Sequence, residues 1–194
     1  MKRIHSMPFG AALVPEGVRF RLWAPAASRV EVGVGGTVDH PVWHEMRGEP
    51  DGWFERVVDG ARPGARYRFR IDGESEVPDP ASRCNPDDVH RASEVVDPLA
   101  YDWRDGEWHG RPWDEAVVYE LHIGAFTSEG TFDGVAARLD YLADLGITAI
   151  ELMPIADFPG RRNWGYDGVL PFAPDSTYGT PASLKALIDR KSVV

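Results

Sequence analysis

The stretch VVYELHIGAFTSEGTFDGVAARLDYLADLGITAIELMPI, Val117–Ile155, decides the fold class. With Ala116 it opens as AVVYELHIGAF, a nearly continuous apolar run of the kind shown by strands buried on both faces. Phe132, Val135, Leu139, Leu142 and Leu145 then recur at spacings of three and four, which lays one apolar stripe along a helix. Gly146 follows as a natural C-cap. A second apolar run, ITAIELMPI, reads as a second buried strand. Further on, Thr180-Pro181 offers an N-cap followed by proline at the first helical position, opening a helix over PASLKALID. Strand, helix, strand, loop and helix in this order begin a βαβα series on a parallel sheet.

Toward the N-terminus the period changes. In GVRFRLWAP, Val18, Phe20 and Leu22 alternate with Arg19, Arg21 and Trp23, and RVEVGV repeats the alternation with Val30, Val32 and Val34. WFERVVDG and RYRFRIDG follow, the latter alternating Tyr67, Phe69 and Ile71 with arginines. Period two marks strands with one buried face. Asp-Gly pairs at 51–52, 59–60 and 72–73 supply the turn chemistry. Short strands, regular turns and no helical stretch predict a β-sandwich, assigned to residues 1–77. Residues 78–114 are polar and interrupted by Pro78, Pro80, Pro86, Pro98 and Pro112, which reads as a linker. Trp103, Trp108 and Trp113 within it are expected to pack on a domain surface, with sugar stacking as the alternative. Residues 115–189 then form the α/β part.

The 194 residues carry 21 Lys and Arg against 31 Asp and Glu, a formal net charge of -10. Such a chain lacks the basic face that a nucleic acid requires, and it offers nothing to anionic lipid, so neither is expected as a partner. No apolar run approaches a membrane span. The start, MKRIHSMPFG, lacks the apolar segment of a signal peptide, so a cytoplasmic location is expected. Cys84 is the single cysteine; it cannot pair within the chain, and no thiolate-stabilising pattern surrounds it.

Between the second apolar run and the last helix lies RRNWGYDGVLPFAPDSTYG, Arg161–Gly179, with neither helical nor strand period. A loop of this length in a compact domain signals function or disorder. In α/β sheets the loops leaving the C-terminal strand ends carry the site. Trp164 and Tyr166 offer flat apolar faces suited to pyranose rings, while Asp157, Arg161, Arg162, Asn163 and Asp167 can bond hydroxyls. The glycines lack the spacing of a phosphate cradle. Alternatively the two aromatics pin the loop to the domain, and spacing alone leaves both readings open. Glu120 and His122 share one side of the first strand and suit a hydrogen-bonded core pair better than a metal pair. Glu151, on the second strand, is a lone carboxylate. No metal or organic cofactor is implied.

VVYELHIGAFTSEGTF, LGITAIELMPIADFPGRRNWGYDG and PDSTYGTPASLKALID together resemble the α-amylase superfamily of glycoside hydrolases. FPGRRNWGYDGVLPFAP, with Gly168 after Asp167, resembles its malto-oligosyltrehalose trehalohydrolase branch. VRFRLWAP and RYRFRIDG resemble strands of the immunoglobulin-like, carbohydrate-binding-module-like sandwich that precedes the barrel in these enzymes. The resemblance runs from about Phe9 to Ile188, and implies a β-sandwich followed by the first two βα units of a (β/α)8 TIM barrel. For the complete enzyme it implies retaining hydrolysis of the α-1,4 bond next to the terminal trehalose of malto-oligosyltrehalose, with release of trehalose. In that mechanism two carboxylates about 5 Å apart serve as nucleophile and acid/base. The resemblance puts them on later strands, so no catalytic residue is named. Carried over position by position, Tyr166 matches the aromatic beneath the sugar at the cleavage point. Asp167 matches its acidic neighbour, in a support or hydroxyl-binding role, and Trp164 is a weaker candidate for the same wall. A debranching or branching enzyme, and a non-catalytic glucan-binding module, are the alternatives.

A barrel takes about 250 residues, so residues 115–189 are expected to be inactive alone. DRKSVV, Asp189–Val194, is what GAT CGG AAG AGC GTC GTG encodes, a stretch of a widely used sequencing adapter. Residues 190–194 are accordingly expected to be a non-native tail.

Overall fold

The computed structural model describes residues 7–191. Its first strands are β1 (Gly10–Val14), β2 (Gly17–Trp23), β3 (Val30–Gly36), β4 (Pro41–Glu45), β5 (Arg47–Glu49), β6 (Trp53–Asp59), β7 (Arg66–Ile71), β8 (Ser75–Val77) and β9 (Ser93–Glu94). One antiparallel sheet has the order β1-β2-β6-β5; the other runs β4-β3-β7-β8, with β9 also pairing β7. Between them lie the alternate residues that the period singled out: Val18, Phe20, Val30, Val32 and Phe69 are fully buried, and Leu22, Val34 and Tyr67 nearly so. The rings of Phe20 and Tyr67 meet at 4.8 Å. Burying each such side chain stabilises the fold by about 1.5–3 kcal/mol. The intervening arginines face outward into acidic neighbours, Arg68 to Glu76 and Arg70 to Glu31.

Residues 78–114 are folded well past a simple connection. Within them β9 joins the second sheet and Val95 enters the sandwich core. Buried Asp79 accepts a hydrogen bond from the Tyr67 hydroxyl (2.6 Å). Asn85 Oδ1 accepts from the hydroxyls of Ser82 (2.6 Å) and Ser93 (2.9 Å). These polar side chains satisfy one another inside the protein, as buried polar groups must, so polar composition here does not mean exposure. Burial pushes Asp79 up to about 6. Cys84 is buried as well, and that burial, then Glu94, raises its thiol to about 11, which leaves it protonated and inert.

The tryptophans behave less uniformly than expected. Trp103 packs edge-on against Tyr101 at 4.9 Å, whereas Trp113 is 84% exposed. Trp113 opens a short 3-10 turn, Trp113–Glu115. It rims a groove of about 1180 Å³ whose apolar wall includes Leu139, Ala143, Ile147 and Ile150.

The second part contains β10 (Val118–Leu121), α1 (Ile123–Phe126), α2 (Phe132–Ala136), α3 (Leu139–Asp144) and β11 (Ala149–Leu152). After these come β12 (Ala156–Asp157), β13 (Leu170–Pro174) and α4 (Pro181–Lys191). β10 and β11 pair in parallel, from Val118↔Ala149 to Leu121↔Leu152. The single helix expected over 132–145 is divided. Arg138 leaves helical geometry (φ -106°, ψ 2°), and its N–H bonds the Val135 carbonyl three residues back, a 3-10 tightening. The stripe survives the break: Phe132, Val135, Leu139 and Leu142 are buried together. Leu145, 59% exposed, falls off it. Beyond it Gly146 takes φ +91°, with N–H bonds from Gly146 to Ala143 and from Ile147 to Leu142. That is the paired Schellman termination.

α4 begins as expected. Thr180 Oγ1 accepts from the Ser183 N–H (3.1 Å) and Ser183 Oγ accepts from the Thr180 N–H (2.8 Å), a reciprocal cap. Near its end buried Asp189 accepts from the Arg104 N–H (2.8 Å) and the Tyr101 hydroxyl (3.1 Å). Of the expected tail, residues 192–194 lie outside the described residues.

One expectation fails. β10 is not buried on both faces: Val118 is 45% exposed, Tyr119 36%, and Glu120 lies open as well. Its sheet has two strands, so among the described residues no third strand pairs its outer edge.

Candidate functional site

The site is built on the long segment between β11 and α4. It is not structureless, for β12 and β13 pair antiparallel within it and give the loop a buried base. Phe158 is fully buried, and Leu170, Ala173 and Tyr178 are nearly so. Tyr178 is the hub: its ring meets those of Phe158 (5.7 Å), Phe132 (6.1 Å) and His122 (5.8 Å) edge-on. Its carbonyl accepts from the Phe132 N–H at 2.9 Å, tying the loop to the start of α2. Burial, then Asp175, pushes the Tyr178 hydroxyl up to about 12.

Asp157 was expected to face sugar hydroxyls; it is instead fully buried in this base. It sits in β12, paired antiparallel with β13 opposite Leu170, and both it and the following Phe158 are fully buried. Among the described residues neither of its carboxylate oxygens has a hydrogen-bond partner of good geometry, and a second buried carboxylate, Asp175, lies beside it. Asp175 is itself satisfied, accepting from the N–H groups of Phe158 (3.1 Å) and Thr177 (2.8 Å) and from the Thr177 hydroxyl. Burial first, then the Asp175 charge, pushes Asp157 up to about 7. Protonated Asp157 can donate to Asp175, which relieves the missing partner. Asp88 buttresses the same region, accepting from the Gly160 N–H at 3.0 Å.

Above this base the tip, residues 163–167, turns tightly. Asn163 Oδ1 accepts from the Gly165 N–H (2.7 Å), and Asn163 Nδ2 donates to Asp167 Oδ2 (2.9 Å). Gly165 has φ +96°, and a Cβ there would lie 2.2 Å from the Pro154 carbonyl oxygen. Only glycine fits that approach. Trp164 and Tyr166 flank it at 76% and 70% exposure. They therefore do not pin the loop; the buried base does. Two open aromatic faces beside an exposed carboxylate can stack against apolar sugar faces while bonding hydroxyls at their edges. Arg161 and Arg162 are exposed nearby.

The remaining sequence candidates separate. Glu120 and Glu151 sit opposite each other across β10 and β11, both exposed. His122 does not bond Glu120; its Nε2 lies 2.7 Å from the Asn163 carbonyl oxygen. Asn163, expected to bond sugar hydroxyls, instead bonds Gly165 and Asp167, whereas Tyr178 and Asp175 were missed although both lie in the quoted aromatic stretch. Among the described residues no group of three His, Cys, Asp or Glu side chains could hold a metal ion, and no helix is long and apolar enough to cross a membrane.

Residues 8–100 match carbohydrate-binding module 48, the isoamylase N-terminal domain. The malto-oligosyltrehalose trehalohydrolase of Saccharolobus solfataricus is 45% identical over 183 residues, covering 94% of this chain and 32% of that protein. That of Deinococcus radiodurans is 46% identical, covering 93% and 29%. A 1,4-alpha-glucan branching enzyme of Xanthomonas oryzae is more distant, at 37% identity over 90% of this chain and 26% of its own length. Among solved structures, a Salmonella typhimurium protein described as an alpha amylase superposes with TM-score 0.92 at 47% identity, over 97% of this chain and 32% of that one. A Paenibacillus barengoltzii pullulanase, solved with maltohexaose and α-cyclodextrin, superposes with TM-score 0.82 at 26% identity, over 98% and 36%. The chain thus spans about a third of the length of the relatives it matches. Over the residues it has, the chain is similar to the malto-oligosyltrehalose trehalohydrolases and to an alpha amylase structure, and residues 8–100 match carbohydrate-binding module 48.

Proposed function

We propose that this chain supplies the sandwich and the first two βα units of a (β/α)8 barrel in a cytoplasmic glycoside hydrolase. The parent enzyme hydrolyses the α-1,4 bond beside the terminal trehalose of malto-oligosyltrehalose and releases trehalose. The observation that carries this reading is the exposed pair Trp164 and Tyr166 on a loop with a buried base, beside Asp167. Those three residues bind substrate in the proposal: Tyr166 stacks beneath the sugar at the cleavage point, Asp167 bonds its hydroxyls, and Trp164 extends the wall. The open face of β10 and the apolar groove beside Trp113 are surfaces that further barrel elements would cover. No residue of this chain is assigned as nucleophile or acid/base, and residues 1–194 alone are expected to hydrolyse nothing.

Product analysis tests the reading. The whole gene product containing this sequence is incubated with malto-oligosyltrehalose, and trehalose is measured. Release of trehalose, with KM raised by Tyr166→Ala or Asp167→Ala, supports it. Transfer to new branch points or cleavage of pullulan without trehalose points instead to a branching or debranching enzyme, the class of the more distant relatives. A second reading, a non-catalytic glucan-binding module, is favoured by the match over residues 8–100. It requires those residues alone to retain most of the affinity for malto-oligosaccharide.

A further inference from the structure

The tip that carries Trp164 and Tyr166 projects from the buried base, so something must hold its orientation. Among the described residues the tip receives one side-chain hydrogen bond from outside the loop, and it comes from His122. His122 stands where β10 ends and α1 begins, its backbone carbonyl accepting from the N–H groups of Ala125 and Phe126. The ring is half-buried and edge-on to both Tyr178 (5.8 Å) and Trp164 (6.4 Å). Its Nε2 lies 2.7 Å from the Asn163 carbonyl oxygen. A carbonyl only accepts, so Nε2 carries the hydrogen. The Tyr178 hydroxyl oxygen, 3.3 Å from the same nitrogen, is then a second and weaker acceptor.

From Asn163 the chain of bonds continues outward. Its side chain holds the Gly165 N–H and the Asp167 carboxylate, and those residues alternate with Trp164 and Tyr166. We infer that His122 is a positioning residue for carbohydrate binding: its Nε2–H, through the Asn163 carbonyl and side chain, fixes the turn that presents Trp164, Tyr166 and Asp167 to an α-glucan. This rests on the glucan reading above for its ligand, but not for the pinning of the turn. The physical gain is preorganisation. A loop that already holds its bound shape loses less conformational entropy when sugar arrives. A histidine on a strand end is a stiff anchor for such a tip, because packing on both sides locks the ring.

The test compares the full chain with His122→Leu, which keeps bulk without a donor, and His122→Gln, whose Nε2–H can reach the same carbonyl. Amide exchange at Gly165 and Asp167, maltohexaose affinity and melting temperature are measured on each. His122→Leu is expected to speed Gly165 exchange about tenfold or more and to weaken maltohexaose binding about tenfold, an effect of loop order rather than lost contact. His122→Gln is expected to restore both, whereas a merely space-filling role would favour Leu as much as Gln. Unchanged exchange in His122→Leu, or no rescue by Gln, overturns the inference. If the wild type and Tyr166→Ala bind maltohexaose equally, the glucan reading fails, while the exchange data still decide whether His122 pins the turn. Should His122→Leu not fold, the ring nitrogen-15 resonances of the wild type decide. A slowly exchanging Nε2–H supports the assignment, and an Nδ1–H tautomer overturns it.

Discussion

β2 and β10 are both apolar strands, and they meet opposite fates. In β2, Val18 and Phe20 are fully buried and Leu22 nearly so, while the residues between them face outward. In β10, the more apolar of the two by sequence, Val118, Tyr119 and Glu120 are all exposed and only Leu121 is buried. The sandwich brings its covering layer with it, as a second sheet a few tens of residues along the chain. The parallel sheet of the α/β part has only two strands, β10 and β11, among the described residues, with an open groove of about 1180 Å³ lined in part by Ala149 and Ile150 of β11. Burial is thus a property of what surrounds a strand, and apolarity is only a demand for it.

The sharpest way to break this comparison is to truncate one side chain in each region. Phe20→Ala, in the closed core, is expected to cost about 3–5 kcal/mol, whereas Val118→Ala, on the open strand, is expected to cost under about 1 kcal/mol. Urea unfolding of the two variants measures both; equal losses would mean that β10 is covered in solution.

Next in size is Gly165→Ala. The methyl would sit 2.2 Å from the Pro154 carbonyl oxygen at φ +96°, strain of about 1–3 kcal/mol. Because it falls on the tip, it should abolish detectable maltohexaose binding while leaving the sandwich transition in place. Wild-type affinity in Gly165→Ala would show that the tip's shape does not matter.

Tyr67→Phe tests the closed side again, at the bond between sandwich and following segment. It leaves Asp79 without the hydroxyl that donates to it at 2.6 Å, a loss of about 1–3 kcal/mol. A value near zero, by the same urea measurement, would mean that residues 78–95 are not held to the core through Asp79.

The loop's buried base adds a pH dependence. In the folded protein Asp157 is raised to about 7, against roughly 3.9 for an unfolded aspartate. The folded state therefore holds this proton more tightly, and stability falls as pH rises from about 4 through 7. Asp79, raised to about 6, acts in the same direction. Asp157→Asn, which cannot ionise, should flatten part of that fall; Asp175, Asp88 and Cys84 are the titratable groups facing the site. Melting temperatures between pH 5 and 8 check this, and a slope unchanged by the substitution would refute it. Smallest of all is Asp140→Ala, which removes an exposed partner of Arg190. It should change stability by less than about 0.5 kcal/mol, measured in the same urea series.

Much of the fold could be read in advance where local physics is decisive. Period-two alternation placed Phe20 and Tyr67, spacing of three and four placed Phe132 and Leu139, and Gly146 and Thr180 mark helix ends with bonds made within a few residues. The candidate site was legible in its composition only. Trp164, Tyr166 and Asp167 stand out because open aromatics beside a carboxylate are an unusual composition for a loop. Asp157 looked equivalent to Asp167 and is not, since which side of β12 faces inward depends on a pairing with β13 that no local pattern announces.

The amino-acid sequence by itself determined the strand and helix types, the helix caps, the change of period near Val117, and the kinship that residue order carries. All but the kinship depend on neighbours within a turn or two of chain. Only the tertiary structure decided that the polar stretch after Val77 folds against the sandwich through Asp79 and Asn85, and that β10 lies open. It also decided that Asp157 is shut away beside Asp175 and that His122 reaches across to hold Asn163. Those outcomes depend on groups brought together from as many as 41 residues apart, as His122 and Asn163 are. Burial and hydrogen-bond satisfaction are settled by that assembled surrounding, which is why residue type alone could not foretell them.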